Sequence, residues 1–172
     1  MPVKISWPIV VATIHPNIGG LIGGYITRQN LNPWYQSLKK PSWTPPNWAF
    51  APIWTSIYCT IGYSSYLVWR DGPGFEGATI PLALYGVNLA LNWSWTPIFF
   101  GAHNIKLALY EILVLWGSTA AMGIAFYHIN HTAGYLTIPY FAWTSLAAML
   151  NYVIYKDNKS SSSPAIEQTK TK

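Results

Sequence analysis

The sequence predicts an all-α integral membrane protein, a bundle of five transmembrane helices. Three observations carry that prediction. Of 172 residues, 9% are charged and 51% hydrophobic; a soluble domain carries about a quarter charged residues, and this chain has too few to cover such a surface. The charges fall between five long apolar stretches rather than along them. Mean hydropathy is only mildly positive. That reflects 10 Trp and 12 Tyr, which score poorly on such a scale yet suit a membrane interface.

A spanning helix needs about 20 largely apolar residues. The first is predicted over about 5–27, with no formal charge between Lys4 and Arg28. No small-residue cleavage site follows it, so it is expected to stay in the mature protein. The second is predicted over about 46–69: Pro45 and Pro46 suit a first helical turn, and the next charge is Arg70. The third runs over about 79–100, the fourth over about 106–128 with Glu111 inside it, and the fifth over about 134–155, ending at Lys156. Pro16, Pro52, Pro97 and Pro139 fall within or near the ends of spans, where neighbouring helices can satisfy the carbonyls they free. A barrel would need alternating segments of about ten residues, and no such alternation occurs.

The longest connection, 28–44, carries Trp34, Tyr35 and Trp43 and reads as an ordered lid. Residues 1–158 form the transmembrane domain; 159–172, with serines at 160–163, read as a disordered tail. Arg28, Lys39, Lys40, Lys106, Lys156 and Lys159 fall on one side of the membrane, against Lys4 and Arg70 on the other. The excess places the C-terminus and the lid in the cytosol. The net charge of +5 forms no basic stripe, which excludes nucleic-acid binding. The lone Cys59 excludes an intramolecular disulfide. His128 and His131 in one short loop read as solvated rather than as a metal site.

Several residues stand out for chemistry. Gly19, Gly20, Gly23 and Gly24 form overlapping small-xxx-small pairs, which either pack helices closely or leave room for a ligand. Asn92 and Trp95 share a helix face. At membrane depth the carboxamide must be bonded, either to another helix or to an apolar ligand. Glu111 is the one carboxylate inside a span, and it reads either as functional or as reaching interfacial water. Leu150, Tyr152 and Lys156 fit a proposed cholesterol pattern of Leu/Val, spaced Tyr and spaced Lys/Arg. No nucleophile and base stand at a recognisable spacing.

Lys40-Pro41-Ser42-Trp43-Thr44-Pro45-Pro46, Pro52-Ile53-Trp54 and Tyr58 resemble the signature of the translocator protein family, also called peripheral-type benzodiazepine receptors (TspO/MBR). The run from Leu89 to Gly101 is similar to that family's third helix. Pro139-Tyr140-Phe141-Ala142-Trp143 and Leu150-Asn151-Tyr152 resemble its fifth. The resemblance implies a five-helix bundle, often a homodimer, that binds cholesterol and porphyrins such as protoporphyrin together with isoquinoline and benzodiazepine ligands. Animal members reside mainly in the mitochondrial outer membrane with a cytosolic C-terminus, in agreement with the charge count. Carried over by motif, the ligand pocket comprises Gly24, Phe50, Ala51, Ile53, Trp54, Asn92, Trp95, Ala108, Val114, Trp143, Ala147 and Leu150. The family needs no resident cofactor or metal; a porphyrin or sterol is the ligand.

Four positions depart from the family. Lys156 stands in place of Arg, Leu107 in place of a mammalian Trp, Val114 in place of a mammalian Leu, and Val87 at a position often small. The leading expectation is a membrane receptor that supports sterol or tetrapyrrole transport. The alternative, motivated by the bacterial members, is a light-dependent porphyrin-degrading enzyme that uses the pocket tryptophans.

Overall fold

The computed structural model describes residues 6–72 and 74–159, with backbone alone at 75, and every element within them is helical. Lys4 and the expected disordered tail from 160 lie outside the described residues. The elements are α1 (Trp7–Ile14), α2 (Asn17–Asn30), α3 (Asn47–Asp71), α4 (Gly74–Gly77), α5 (Thr79–Thr96), α6 (Ile105–Ile129), α7 (His131–Leu136) and α8 (Ile138–Asn158). They make five membrane spans: α1 with α2, then α3, α5, α6, and α7 with α8.

Prolines account for where the spans depart from the expected single helices. Pro16 has no N–H and its ring crowds the preceding turn, so the first span is two helices rather than one. The His15 ring Nδ1 lies 3.1 Å from the Ala12 carbonyl at this break. At Pro97 the α-helix gives way to a wider turn, Pro97–Gly101, closed by Ala102 N–H donating to the Pro97 carbonyl at 2.8 Å. Pro139 instead fits the first turn of α8, where its missing N–H costs nothing. Asn130 caps α7 by accepting from Ala133 N–H at 2.8 Å. The fifth span therefore begins as a separate short helix.

Around an apolar core the exterior too is apolar, unlike that of a soluble protein. Trp7, Leu21 and Trp48 are 70%, 75% and 76% exposed, and Ile18, Ile22, Ile80, Leu113 and Ile124 also point outward. Ser64, Asn88, Asn92, Thr119, Thr144 and Asn151 are buried. Lipid satisfies no polar group, so hydrogen-bonding side chains turn inward and apolar ones outward. Two stretches, Trp7–Tyr35 and Ile105–Ile129, are long and apolar enough to cross a membrane by length and composition alone.

Close approach between helices uses the glycines. A Cβ on Gly62 of α3 would fall 2.2 Å from the Ala12 carbonyl oxygen of α1. Gly19 and Gly20 lie against the Trp93 and Tyr58 rings, and Gly23 against Thr96. Of the two readings of the first-span glycines, three of the four therefore serve packing.

Candidate functional site

On the outer side of the bundle α3 and α8 diverge around a groove of about 620 Å³. Pro52, Ile53, Ser56 and Ile57 form one wall; Pro139, Ala142, Trp143 and Leu146 form the other. Each set recurs every three to four residues and so occupies one helix face. Pro, Ser and Ala at the seam are too small or too rigid to close it. The volume falls within the range of about 300–1,000 Å³ usual for small-molecule sites.

The inner end of the groove is aromatic. Trp143 meets Phe50 edge-on at 5.7 Å and Trp54 at 6.3 Å between ring centroids. Trp54 in turn stacks on Tyr58 at 5.5 Å. The Trp143 indole N–H is buried and has no hydrogen-bond partner. A buried donor without an acceptor costs about 1–3 kcal/mol.

Behind these rings a closed polar chain crosses the core. Tyr58 Oη donates to Asn92 Oδ1 at 2.5 Å, and Asn92 Nδ2 donates to Tyr140 Oη at 2.8 Å. Tyr140 Oη donates to Asn88 Oδ1 at 3.0 Å; Asn88 Nδ2 donates to Ser118 Oγ at 2.8 Å and Thr119 Oγ1 at 2.9 Å. Asn92 thus has each end of its amide engaged by a tyrosine and bridges helices. This is the helix-bridging contact that one of its two sequence readings expects.

Trp95, Ala108, Ala147 and Leu150 lie elsewhere. Trp95 stacks on Phe99 at 4.8 Å and donates from Nε1 to Asn151 Oδ1 at 3.1 Å. Ala108 and Leu150 are buried with Phe99, Phe100 and Ile154 beneath the 31–38 segment, and Phe50 packs against the same cluster. Ala147 packs against Ile112, Leu115 and Ala148. The twelve residues expected to line one pocket are therefore dispersed: Ile53, Trp54 and Trp143 at the groove, Trp95, Ala108 and Leu150 in a filled cluster, Phe50 touching both, and Asn92 and Ala147 in the core elsewhere.

Three of them stand on outward faces. Gly24 is exposed with open space beyond its Cα, because one residue past the buried Gly23 turns the chain by a quarter of a circle and more. Ala51 is exposed. Val114 is 58% exposed, lying off the buried stripe of Ala108, Ile112, Leu115 and Thr119. Of the three cholesterol-motif residues, Tyr152, 54% exposed, and Lys156 face outward near the end of α8, whereas Leu150 is buried. Glu111 accepts from Ser94 Oγ, while its Oε2 is buried without a partner.

Sequence reading missed Asn88, Tyr140 and Tyr58 as a working group. A signal was present: Asn88 and Asn92 are four residues apart and share a helix face. It also missed Asn158. The amide of Asn158 brackets the lid backbone: Lys39 N–H donates to Oδ1, and Nδ2 donates to the Lys39 carbonyl, both at 3.0 Å. Trp34 is clamped on another side by stacking on His103 at 4.0 Å, and His103 Nε2 lies 2.8 Å from Asn30 Oδ1. Lys40 Nζ donates to the carbonyls of Tyr35 and Leu38 at 2.5 and 3.0 Å. Burial draws the Lys40 pKa below its ordinary value. Trp43, by contrast, is exposed. Asn158→Ala should free this segment, seen as faster hydrogen exchange at residues 36–44; unchanged exchange would show that Trp34 alone holds the lid.

The family model for TspO/MBR matches residues 12–156, nearly all of the described chain. The chain belongs to the TspO/MBR family. It is 43% identical over 153 residues to the translocator protein of Bos taurus, covering 88% of this chain and 90% of that one. The human translocator protein is 42% identical with the same coverage. The tryptophan-rich protein TspO of Archaeoglobus fulgidus is 35% identical, covering 79% of this chain and 87% of its own. Members of the TspO/MBR family are five-helix membrane proteins, so membership and the apolar exterior agree.

Proposed function

We propose that this protein is a membrane receptor that binds cholesterol and porphyrins, and synthetic isoquinoline or benzodiazepine ligands, at the aromatic end of the α3–α8 groove. The observation that carries this reading is the unpartnered Trp143 indole beside Phe50 and Trp54 in an otherwise apolar groove. Flat or rigid apolar ligands fit such a site, where few polar groups fix orientation. The name of the animal relatives, translocator protein, supports a role in transport, with a sterol or tetrapyrrole as the proposed cargo. By family resemblance it resides in the mitochondrial outer membrane as a homodimer, and the excess of cations on one side supports a cytosolic C-terminus.

Protoporphyrin titrated into the purified protein should quench tryptophan fluorescence saturably. Trp143→Ala, which removes the ring and its N–H together, should weaken binding by about tenfold or more. Unchanged affinity in a folded Trp143→Ala variant rejects this site.

A second reading, light-dependent porphyrin breakdown, is favoured by the two adjacent, edge-on indoles of Trp54 and Trp143. It requires a new porphyrin product on illumination in the presence of oxygen, lost in Trp54→Phe/Trp143→Phe.

A further inference from the structure

Glu111 is used by neither the groove, the lid nor the polar chain of the core. The α6 helix has 25 residues, about 37 Å of helix against about 30 Å of hydrocarbon. Glu111 comes six residues after Ile105, about 9 Å along the axis, so its carboxyl lies past the interface. Leu107 and Val114 stand four residues before it and three after and share its helix face. They are 49% and 58% exposed, which turns that face toward lipid.

The hydrogens around this carboxyl do not balance if it is ionised. Ser94 Oγ of α5 meets Glu111 Oε1 and also lies 3.0 Å from the Leu91 carbonyl of its own helix. A hydroxyl has one hydrogen, so two acceptors would compete for it. Glu111 Oε2 is buried and has no partner. The ionisable side chains on the elements around it are Lys106 and Tyr110 on α6, His103 just before that helix, and Tyr152, Tyr155, Lys156 and Asp157 on α8. On α5 the nearest is Tyr85, nine residues from Ser94. Among the described residues, none of these forms a hydrogen bond or ion pair with Glu111. A bare carboxylate oxygen in hydrocarbon, with no cation in contact, is far costlier than a bare carbonyl oxygen.

We infer that Glu111 is a proton-binding site within the bilayer, a neutral carboxylic acid at physiological pH whose O–H donates to Ser94 Oγ while Ser94 donates to the Leu91 carbonyl. The bound proton reverses the sense of the Ser94 contact and ends the competition. Each hydrogen then has one acceptor, and the atom left over, Oε2, is a carbonyl oxygen instead of a charged one. Loss of the proton draws the Ser94 hydrogen away from Leu91 and places a charge at the seam of α5 and α6. Proton occupancy therefore sets how these two spans are joined.

The test leaves the site itself unchanged. Glu76→Gln/Glu167→Gln makes Glu111 the single glutamate of the chain. This full-length protein, carrying carbon-13 at the glutamate side-chain carboxyl, is placed in phosphatidylcholine nanodiscs and read by NMR and infrared difference spectroscopy. The labelled carbon should keep the carboxylic-acid position from about pH 5 to about pH 7, a range in which an ordinary glutamate is ionised. Ser94→Ala should move the acid C=O stretch to higher frequency, because the O–H loses its acceptor. Ser94→Thr keeps a hydroxyl and should restore it. A carboxylate signal at about pH 7 in the protein with Ser94 intact overturns the proton site. An acid signal that ignores Ser94→Ala overturns the Ser94 relay.

Discussion

Asn92→Leu is expected to destabilise the bundle by about 2–3 kcal/mol, because it leaves Tyr58 Oη, 2.5 Å from its present acceptor, with nothing to donate to. Leu nearly conserves the volume, so the loss reports on polar satisfaction rather than on a cavity. Tyr140 also loses the proton it accepts from Asn92, although it keeps Asn88 as its own acceptor. The chain joins α3, α5, α8 and α6, and no water is at hand in hydrocarbon to replace a missing partner. Unfolding in mixed detergent micelles measures the loss. The decisive comparison is a double-mutant cycle. Tyr58→Phe alone should also be costly, since Asn92 Oδ1 is then unmatched, but in the Asn92→Leu background it should cost little. Additive losses would mean that the two groups do not act as a pair.

Gly62→Ala should cost at least as much, about 3 kcal/mol or more, although it adds a single methyl group. Its Cβ would meet the Ala12 carbonyl oxygen at 2.2 Å, with Ala12 C and Thr13 Cα each at 3.0 Å. All three are backbone atoms, so no side-chain rotation relieves the contact. The first span would have to move away from α3, and α1 has no buried residue of its own to hold it elsewhere. Gly24→Ala is the control: with nothing within 4 Å of its Cβ, it should stabilise by about 0.5–1 kcal/mol through helix propensity. Thermal unfolding of the two variants should shift in opposite directions. Equal shifts would show that α1 does not depend on contact with Gly62.

The contrast between Gly62 and Gly24 marks a limit of sequence reading. The first-span motif singles out Gly24, and nothing in the sequence singles out Gly62. Which one touches a neighbour depends on helix phase and on the crossing of α1 over α3. Asn92 is similar: the cost of a buried carboxamide is legible from composition, its partners are not. Tyr58 lies 34 positions away and Tyr140 lies 48 away. The groove was half legible, since Ile53, Trp54 and Trp143 belong to Trp-rich motifs. Ser56 and Leu146 carried no individual signal, and nothing marked Pro139 and Ala142, though part of the Trp143 motif, as leaving space unfilled.

The sequence by itself determined the membrane, the five spans, the family and the segregation of cations to one end. All of these follow from sums over a stretch: twenty apolar residues in a row, or charges counted by side. The tertiary structure decided which expected pocket residues meet, that Asn92 is engaged by Tyr58 and Tyr140, and that the accessible space opens between α3 and α8. Those outcomes turn on azimuth and interhelix distance, where a rotation of one residue moves a side chain by about 100° from core to lipid. No sum along the chain contains that angle; packing against neighbouring helices sets it.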